Sequence, residues 1–187
     1  MSDTAESSRF RDRLVALHPV AVTGTTGLTT KVYTEDSIIA PTRVAIIDDH
    51  PLYRAGIRQA IEAALDMEVL AEGADAVDAV QIAATTPVDV VLLDLNIPGG
   101  GIDAARTIRR SHPATKIVFL TNSEDEENVS TVMQLGAFGY IVKGIRGAEL
   151  VSILRVVHQG EAYVSPNLAA EVLRGLGRTG YVEARAL

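Results

Sequence analysis

Two apolar runs of this chain each end in carboxylates. Val44, Ala45, Ile46 and Ile47 lead into Asp48 and Asp49, and Val90, Val91, Leu92 and Leu93 lead into Asp94. Both runs have the length and β-branched content of buried strands. In an open parallel sheet, ligands bind in the crevice beyond the carboxyl ends of the strands. Acids at two such ends can converge on one spot. Three carboxylates in one crevice repel one another, so the arrangement calls for a cation, protonation or a reaction.

The elements that would position these acids follow from the periodicity. Strand-like runs cover residues 43–47, 68–71, 88–93, 116–120 and 139–142. Helical patterns cover 52–64, with Leu52, Ile57, Ala60, Ile61 and Ala64 apolar, and 76–84, with Val77, Val80 and Ala84. Further helical patterns cover 102–111, 124–135 (Val129, Val132, Met133 and Leu135 apolar) and 148–159. Ser123 is placed to cap the fourth of these, and Glu124 to Glu127 load its first turn with negative charge, which suits the helix dipole. Alternating strands and helices of this length imply right-handed crossovers and a parallel sheet covered on both faces. The expected fold is α/β: a doubly wound five-stranded parallel sheet, flavodoxin-like, in the order 2-1-3-4-5. That order sets the first and third strands, which carry the acids, on either side of the switch point.

Bulk properties narrow the function. The chain has 187 residues, a net charge of −7 and an isoelectric point near 5.1. An acidic chain without clustered Lys and Arg argues against a nucleic-acid-binding surface. With no cysteine, disulfides, thiolate catalysis and Cys-based metal sites are excluded. The apolar stretches are too short to span a bilayer, and Asp3 and Glu6 sit where a signal peptide would be positive. A cytoplasmic protein is expected. Residues 1–42 lack a persistent period and are expected to form a flexible extension, apart from a short helical face at Phe10, Leu14 and Leu17. The periodic domain is expected over 43–160. Residues 161–187 are expected to be a linker helix, with Leu168, Val172, Leu173 and Leu176 apolar, and a tail.

The segment VAIIDDHPLYRAG at 44–56 resembles the start of a bacterial response-regulator receiver domain. VVLLDLNIPG at 90–99 resembles its phosphoacceptor strand and loop. FLTNS at 119–123 and GAFGYIVKG at 136–144 resemble its last two signature blocks, in the right order and spacing. The DDHPLYRAG wording and GEAYVSP at 160–166 resemble the LuxR/NarL-type subfamily, whose helix-turn-helix output domain is expected to be absent from this chain.

The resemblance implies a chemistry for each residue. Asp94 would be the phosphoacceptor, since a carboxylate can attack phosphorus to form an acyl phosphate. The donor would be a phosphohistidine on a sensor histidine kinase. Asp49, Asp94 and the Asn96 carbonyl would hold Mg²⁺, with Asp48 ordering a metal-bound water; such a site suits an ion that keeps several waters. Lys143 would reach a phosphoryl oxygen as a point charge, and the Thr121 hydroxyl would bond another. Tyr140 would turn inward as Thr121 moves; a half-exposed strand tyrosine is compatible with that role. The chain would be a phosphoacceptor that assists its own phosphotransfer and dephosphorylation rather than a conventional enzyme. It is expected to form a homodimer on phosphorylation and to reach DNA only through the output domain of a transcriptional regulator. A stand-alone receiver and a phosphorylation-independent interaction module remain alternatives. A hydrolase of the haloacid-dehalogenase type would want an acid two residues after the nucleophile, where Asn96 stands.

Other features point elsewhere or nowhere. Gly99, Gly100 and Gly101 suggest a flexible loop, but no GK[ST] follows as phosphate cradling would require. His50 reads as a turn residue before Pro51. His18, His112 and His158 have no metal-ligand spacing.

Overall fold

A computed structural model describes residues 20–23, 29–32, 40–122, 131–165 and 169. The chain divides into two compact units, Met1–Pro41 and Thr42–Leu187. In the first, strands β1 (Val20–Thr23) and β2 (Thr29–Val32) pair antiparallel, with Val20 opposite Val32. These two short strands lie within residues 1–42, where the sequence shows no persistent period. Val and Thr favour extended backbone on their own, a preference that hydropathy periodicity does not register. The helical face at Phe10, Leu14 and Leu17 lies outside the described residues, as do Ser123, the acidic run after it and the linker stripe from Leu168 to Leu176.

The second unit carries β3 (Thr42–Ile47), α1 (Pro51–Glu62), β4 (Met67–Gly73), α2 (Ala76–Thr85) and β5 (Val90–Asp94). It continues with α3 (Gly101–Ser111), β6 (Lys116–Thr121), β7 (Gly139–Val142), α4 (Gly147–His158) and β8 (Tyr163–Val164). Residues 131–134 are also helical. The sheet order is β4-β3-β5-β6-β7-β8, and every pairing in it is parallel. Its first five strands reproduce the expected 2-1-3-4-5 order.

The sixth strand corrects the five-stranded expectation. Tyr163 pairs with Gly139 and Val164 with Tyr140, and the Tyr163 amide donates to the Phe138 carbonyl at 2.8 Å. Two residues are too few to show alternation. What forms the strand is the free edge of β7, whose backbone groups need partners, together with a turn at Gly160 (φ +96°) that brings the chain back beside it.

Strand alternation sorts the core into two layers. Val44, Ile46, Val90, Leu92, Val118 and Leu120 face α1 and α4, meeting Ile57, Ile61, Leu150 and Leu154. Ala45, Ile47, Val91, Leu93, Ile117 and Phe119 face the other way, meeting Ala79, Ala83, Ala104 and Ile108 of α2 and α3. Helices on both faces explain why the central strands are apolar at every position. Leu52 and Val77, expected on inward faces, are instead 91% and 71% exposed, and Met133 is also exposed. Leu52 lies five residues before Ile57, about 140° around the helix from the buried stripe, and Val77 lies about 200° from Ala79.

Polar contacts fix the ends of the elements. Asp75 Oδ1 accepts from the Asp78 amide at 2.8 Å, while Asp78 Oδ2 accepts from the Ala74 amide at 2.8 Å, a reciprocal cap on α2. Arg155 donates to both oxygens of Asp66, at 2.6 and 2.8 Å, tying α4 to the turn before β4. Asp89 accepts from the Arg43 backbone amide at 2.9 Å and from its guanidinium at 3.0 and 2.7 Å, aligning β3 with β5. The hydrogen bond from Arg43 is the main reason that the Asp89 carboxyl is held below its ordinary range. A depressed carboxyl stabilises the fold above its unfolded value and loses that contribution as pH falls through the lower folded value. Asp89→Ala is therefore expected to cost about 1 kcal/mol near neutral pH, a low figure because Arg43 is partly exposed. Urea unfolding should show the difference from wild type shrinking below about pH 4.

Candidate functional site

Adjacent strands bring the acids together. Ile47 pairs with Leu93, so Asp48, just beyond β3, and Asp94, the last residue of β5, emerge side by side. Both are fully buried. Lys143 follows β7, on the other side of β6. Its Nζ lies 2.7 Å from Asp94 Oδ2 and 2.8 Å from Asp48 Oδ2, and its side chain is 7% exposed. Burial alone would lower the lysine pKa. Hydrogen bonds and charge from Asp48 and Asp94 outweigh it, holding the ammonium above its ordinary value. The face of Tyr53, on α1, lies 5.0 Å from the same Nζ. Burial pushes the Tyr53 hydroxyl up, against a backbone hydrogen bond with Gly144. Tyr53 thus packs on the lysine and on the residue after it, a position the sequence signalled only as the tyrosine of HPLYR.

Asp49 is more open, with 35% of its side chain exposed. Its Oδ1 lies 2.8 Å from Nδ1 of His50, which is also 3.1 Å from Asp48 Oδ1 and 4.0 Å from Asp94 Oδ2. The His50 amide donates to Asp48 Oδ1 at 2.8 Å. Sequence periodicity treated His50 as a turn residue; the structure turns its ring toward all three acids. Behind this turn, Arg54 donates to the Asp48 carbonyl at 2.5 Å and to Glu72 at 2.8 Å, and Arg58 also bonds Glu72.

The loop after β5 is built rather than slack. The Asn96 amide donates to Asp94 Oδ1 at 3.1 Å, the Leu95 amide to the Leu120 carbonyl at 2.9 Å, and the Gly101 amide to the Leu95 carbonyl at 3.2 Å. Gly99 and Gly100 have φ of +84° and +86°, and a Cβ on Gly101 would lie 2.5 Å from the Asp94 carbonyl oxygen. The glycine run that suggested flexibility therefore lets α3 start hard against the end of β5. Gly101→Ala is expected to cost about 1–3 kcal/mol, because backbone must move to admit the methyl group. Thermal unfolding would measure it, and amide NMR should place the largest shifts at Asp94 to Asn96.

Thr121 ends β6, fully buried, one residue beyond the Leu120 that pairs with Asp94. Its carbonyl accepts from the Lys143 amide at 2.6 Å. Tyr140 is fully buried, in the layer that packs on α2 and α3, rather than a half-exposed strand residue. Asn96 is exposed, as is Asn122.

The ligating atoms of Asp48, Asp49, His50 and Asp94 all lie within 4.8 Å of one another. The carboxylates form an oxygen-rich set, in which buried Asp48 Oδ2 and Asp94 Oδ2 already share one cation, the Lys143 ammonium. Clustered carboxylate oxygens at a solvent-facing mouth fit a small hard divalent cation such as Mg²⁺. Among the described residues, no helix is long and apolar enough to cross a membrane.

Comparison with known proteins places this geometry. Residues 44–155 match the family model described as the response regulator receiver domain. The chain is 41% identical over 130 residues to the response regulator UvrY of Escherichia coli (strain K12), covering 69% of this chain and 60% of UvrY. Among solved structures, it resembles a two-component response regulator of the LuxR family from Aurantimonas sp. SI85-9A1, with a TM-score of 0.69 and 35% identity over 73% of this chain and 98% of that one. It also resembles the isolated REC domain of RcsB from Salmonella enterica serovar Typhimurium, solved with the phosphomimetic BeF₃⁻ (TM-score 0.65, 25% identity, 70% of this chain and 97% of that one). The chain spans about three fifths of the length of the curated relatives it matches.

Proposed function

The chain belongs to the response regulator receiver domain family, and from that premise we propose that Asp94 accepts a phosphoryl group from a sensor histidine kinase. The observation that carries this reading is the buried Asp94 carboxylate gripped by Lys143 at 2.7 Å beside a second buried acid. An Asp94 oxygen attacks phosphorus, the phosphorus–nitrogen bond of the donor phosphohistidine breaks, and an acyl phosphate forms.

Each neighbour has a role in that step. Asp49 and Asp94, with the Asn96 carbonyl, would hold Mg²⁺, and Asp48 would order a water on it. When bound, that ion neutralises charge on the phosphoryl oxygens. The Asn96 amide on Oδ1 and Lys143 on Oδ2 fix the carboxylate plane before attack. Lys143 then follows the incoming negative charge, and the Thr121 hydroxyl donates to a phosphoryl oxygen. The added group brings about −1.5 to −2 charges and three acceptors. Thr121 and Lys143 favour the loop arrangement that meets them. Tyr140, inside the core and paired through β7 to β8, carries that preference toward the sheet edge. Going from mostly inactive to mostly active takes about 5.5 kcal/mol of differential binding.

The wider reading follows the relatives. The chain is the signal-receiving part of a cytoplasmic transcriptional regulator that dimerises on phosphorylation and reaches DNA through an output domain. Treatment with acetyl phosphate or BeF₃⁻ and Mg²⁺ tests the core of this reading. An adduct on Asp94 that EDTA prevents is expected; a chain that stays unmodified with and without Mg²⁺ would overturn it. Scattering with BeF₃⁻ tests dimerisation separately.

A further inference from the structure

The geometry points to His50 as a nitrogen ligand that makes this divalent-cation site accept imidazole-preferring ions, such as Co²⁺ and Ni²⁺, in competition with Mg²⁺. The inference rests on the receiver reading above and adds a residue and a metal class to it. His50 is the N-cap of α1, yet its side chain makes no capping hydrogen bond. Its ring turns to the acids instead, with Nδ1 at 2.8 Å from Asp49 Oδ1, 3.1 Å from Asp48 Oδ1 and 4.0 Å from Asp94 Oδ2. Six-coordinate ions with bonds of about 2.1 Å hold neighbouring donors about 3.0 Å apart and opposite donors about 4.2 Å apart. Nδ1 stands near the first of these spacings from Asp49 Oδ1 and near the second from Asp94 Oδ2, the two carboxylates assigned to the ion, while its contact with Asp48 Oδ1 is a hydrogen bond.

The position is held by backbone. The His50 amide bonds Asp48 Oδ1 at 2.8 Å, and Pro51 follows at the first position of α1, fixing where the chain turns. Arg54, bonded to the Asp48 carbonyl, braces the turn from behind. The ring is 58% exposed, so it stands at the mouth of the site, where an entering ion meets it. Chemistry then sets the preference. Carboxylate and carbonyl oxygens suit Mg²⁺, whereas imidazole suits Co²⁺, Ni²⁺ and Zn²⁺ and gains little on Mg²⁺. One nitrogen added to the Asp49 and Asp94 carboxylates should therefore raise affinity for Co²⁺ and Ni²⁺ and leave Mg²⁺ almost unchanged.

Calorimetric titration of the full chain with Mg²⁺, Co²⁺ and Ni²⁺, for wild type and His50→Ala, tests this. Co²⁺ and Ni²⁺ affinity is expected to fall about tenfold or more in the variant, with Mg²⁺ within about twofold. The hyperfine-shifted imidazole NMR signals of the Co²⁺-loaded wild type should disappear in His50→Ala. Equal losses for all three ions, or no loss, would overturn the inference. So would tighter Mg²⁺ binding in the variant with Co²⁺ unchanged, because the ring would then only fill the place of the ion. Formation of the BeF₃⁻ adduct at Asp94 in both proteins is read separately. Its absence from wild type would remove the receiver reading, while the Co²⁺ difference would still report on His50.

Discussion

Asp94→Asn is expected to lose the phosphoryl adduct completely while keeping the fold. An amide is not a nucleophile toward phosphorus, and no other described acid stands in the same place. Asp48 is as deeply buried, but it emerges from β3 and is tied by the His50 amide and Lys143. Asp49 points to the open side, beside the His50 ring. Mass spectrometry after acetyl phosphate treatment should find no phosphorylated variant. Asp94→Asn also removes one of two buried carboxylates that share one lysine. Their mutual repulsion goes with it, so urea unfolding should show stability equal to or above wild type. A phosphoryl group found on the variant, at Asp48 or Asp49, would overturn the assignment.

Lys143→Met is expected to have the opposite effect on stability. Methionine fills much of the same volume but leaves Asp48 and Asp94 fully buried with no cation. Breaking a buried pair by removing one partner costs about 3–5 kcal/mol. In wild type, the raised Lys143 contributes stability that is present below its ordinary value of 10.5 and is lost as pH rises through the higher folded value. The double variant Lys143→Met with Asp94→Asn should recover much of the loss, because only one buried carboxylate remains. Full additivity of the two changes in urea unfolding would contradict direct coupling.

Much of this site was legible in the sequence because strand ends are. An apolar run that stops at an acid says both that a strand is buried and where it emerges, and 2-1-3-4-5 winding puts the first and third such ends side by side. Lys143 and Thr121 were legible in the same way, as residues closing apolar runs. What stayed hidden depended on angle and on backbone contact. Leu52 and Val77 are apolar by type but sit on the solvent side of their helices, and only the register of the buried stripe decides that. The inward turn of His50 depends on a backbone hydrogen bond to its neighbour's carboxylate, which no hydropathy pattern encodes. Gly99 to Gly101 looked like slack, yet a closely packed loop and a mobile one share the same letters. β8 was missed because two residues carry no period and the strand owes its existence to the edge it meets.

That last strand restricts how copies of the domain can associate. Proteins with a bare sheet edge can join by strand addition, extending one sheet through another. Here the β7 side is already occupied and ends in a rim only two residues long. Among the described strands of this sheet, the other edge open to a continuous intermolecular sheet is β4, at the far side from Lys143 and Tyr140. If the proposed dimer forms at the β7 side, it would rest on side chains meeting across helix and loop surfaces, a contact that can form and dissolve without unzipping any backbone ladder.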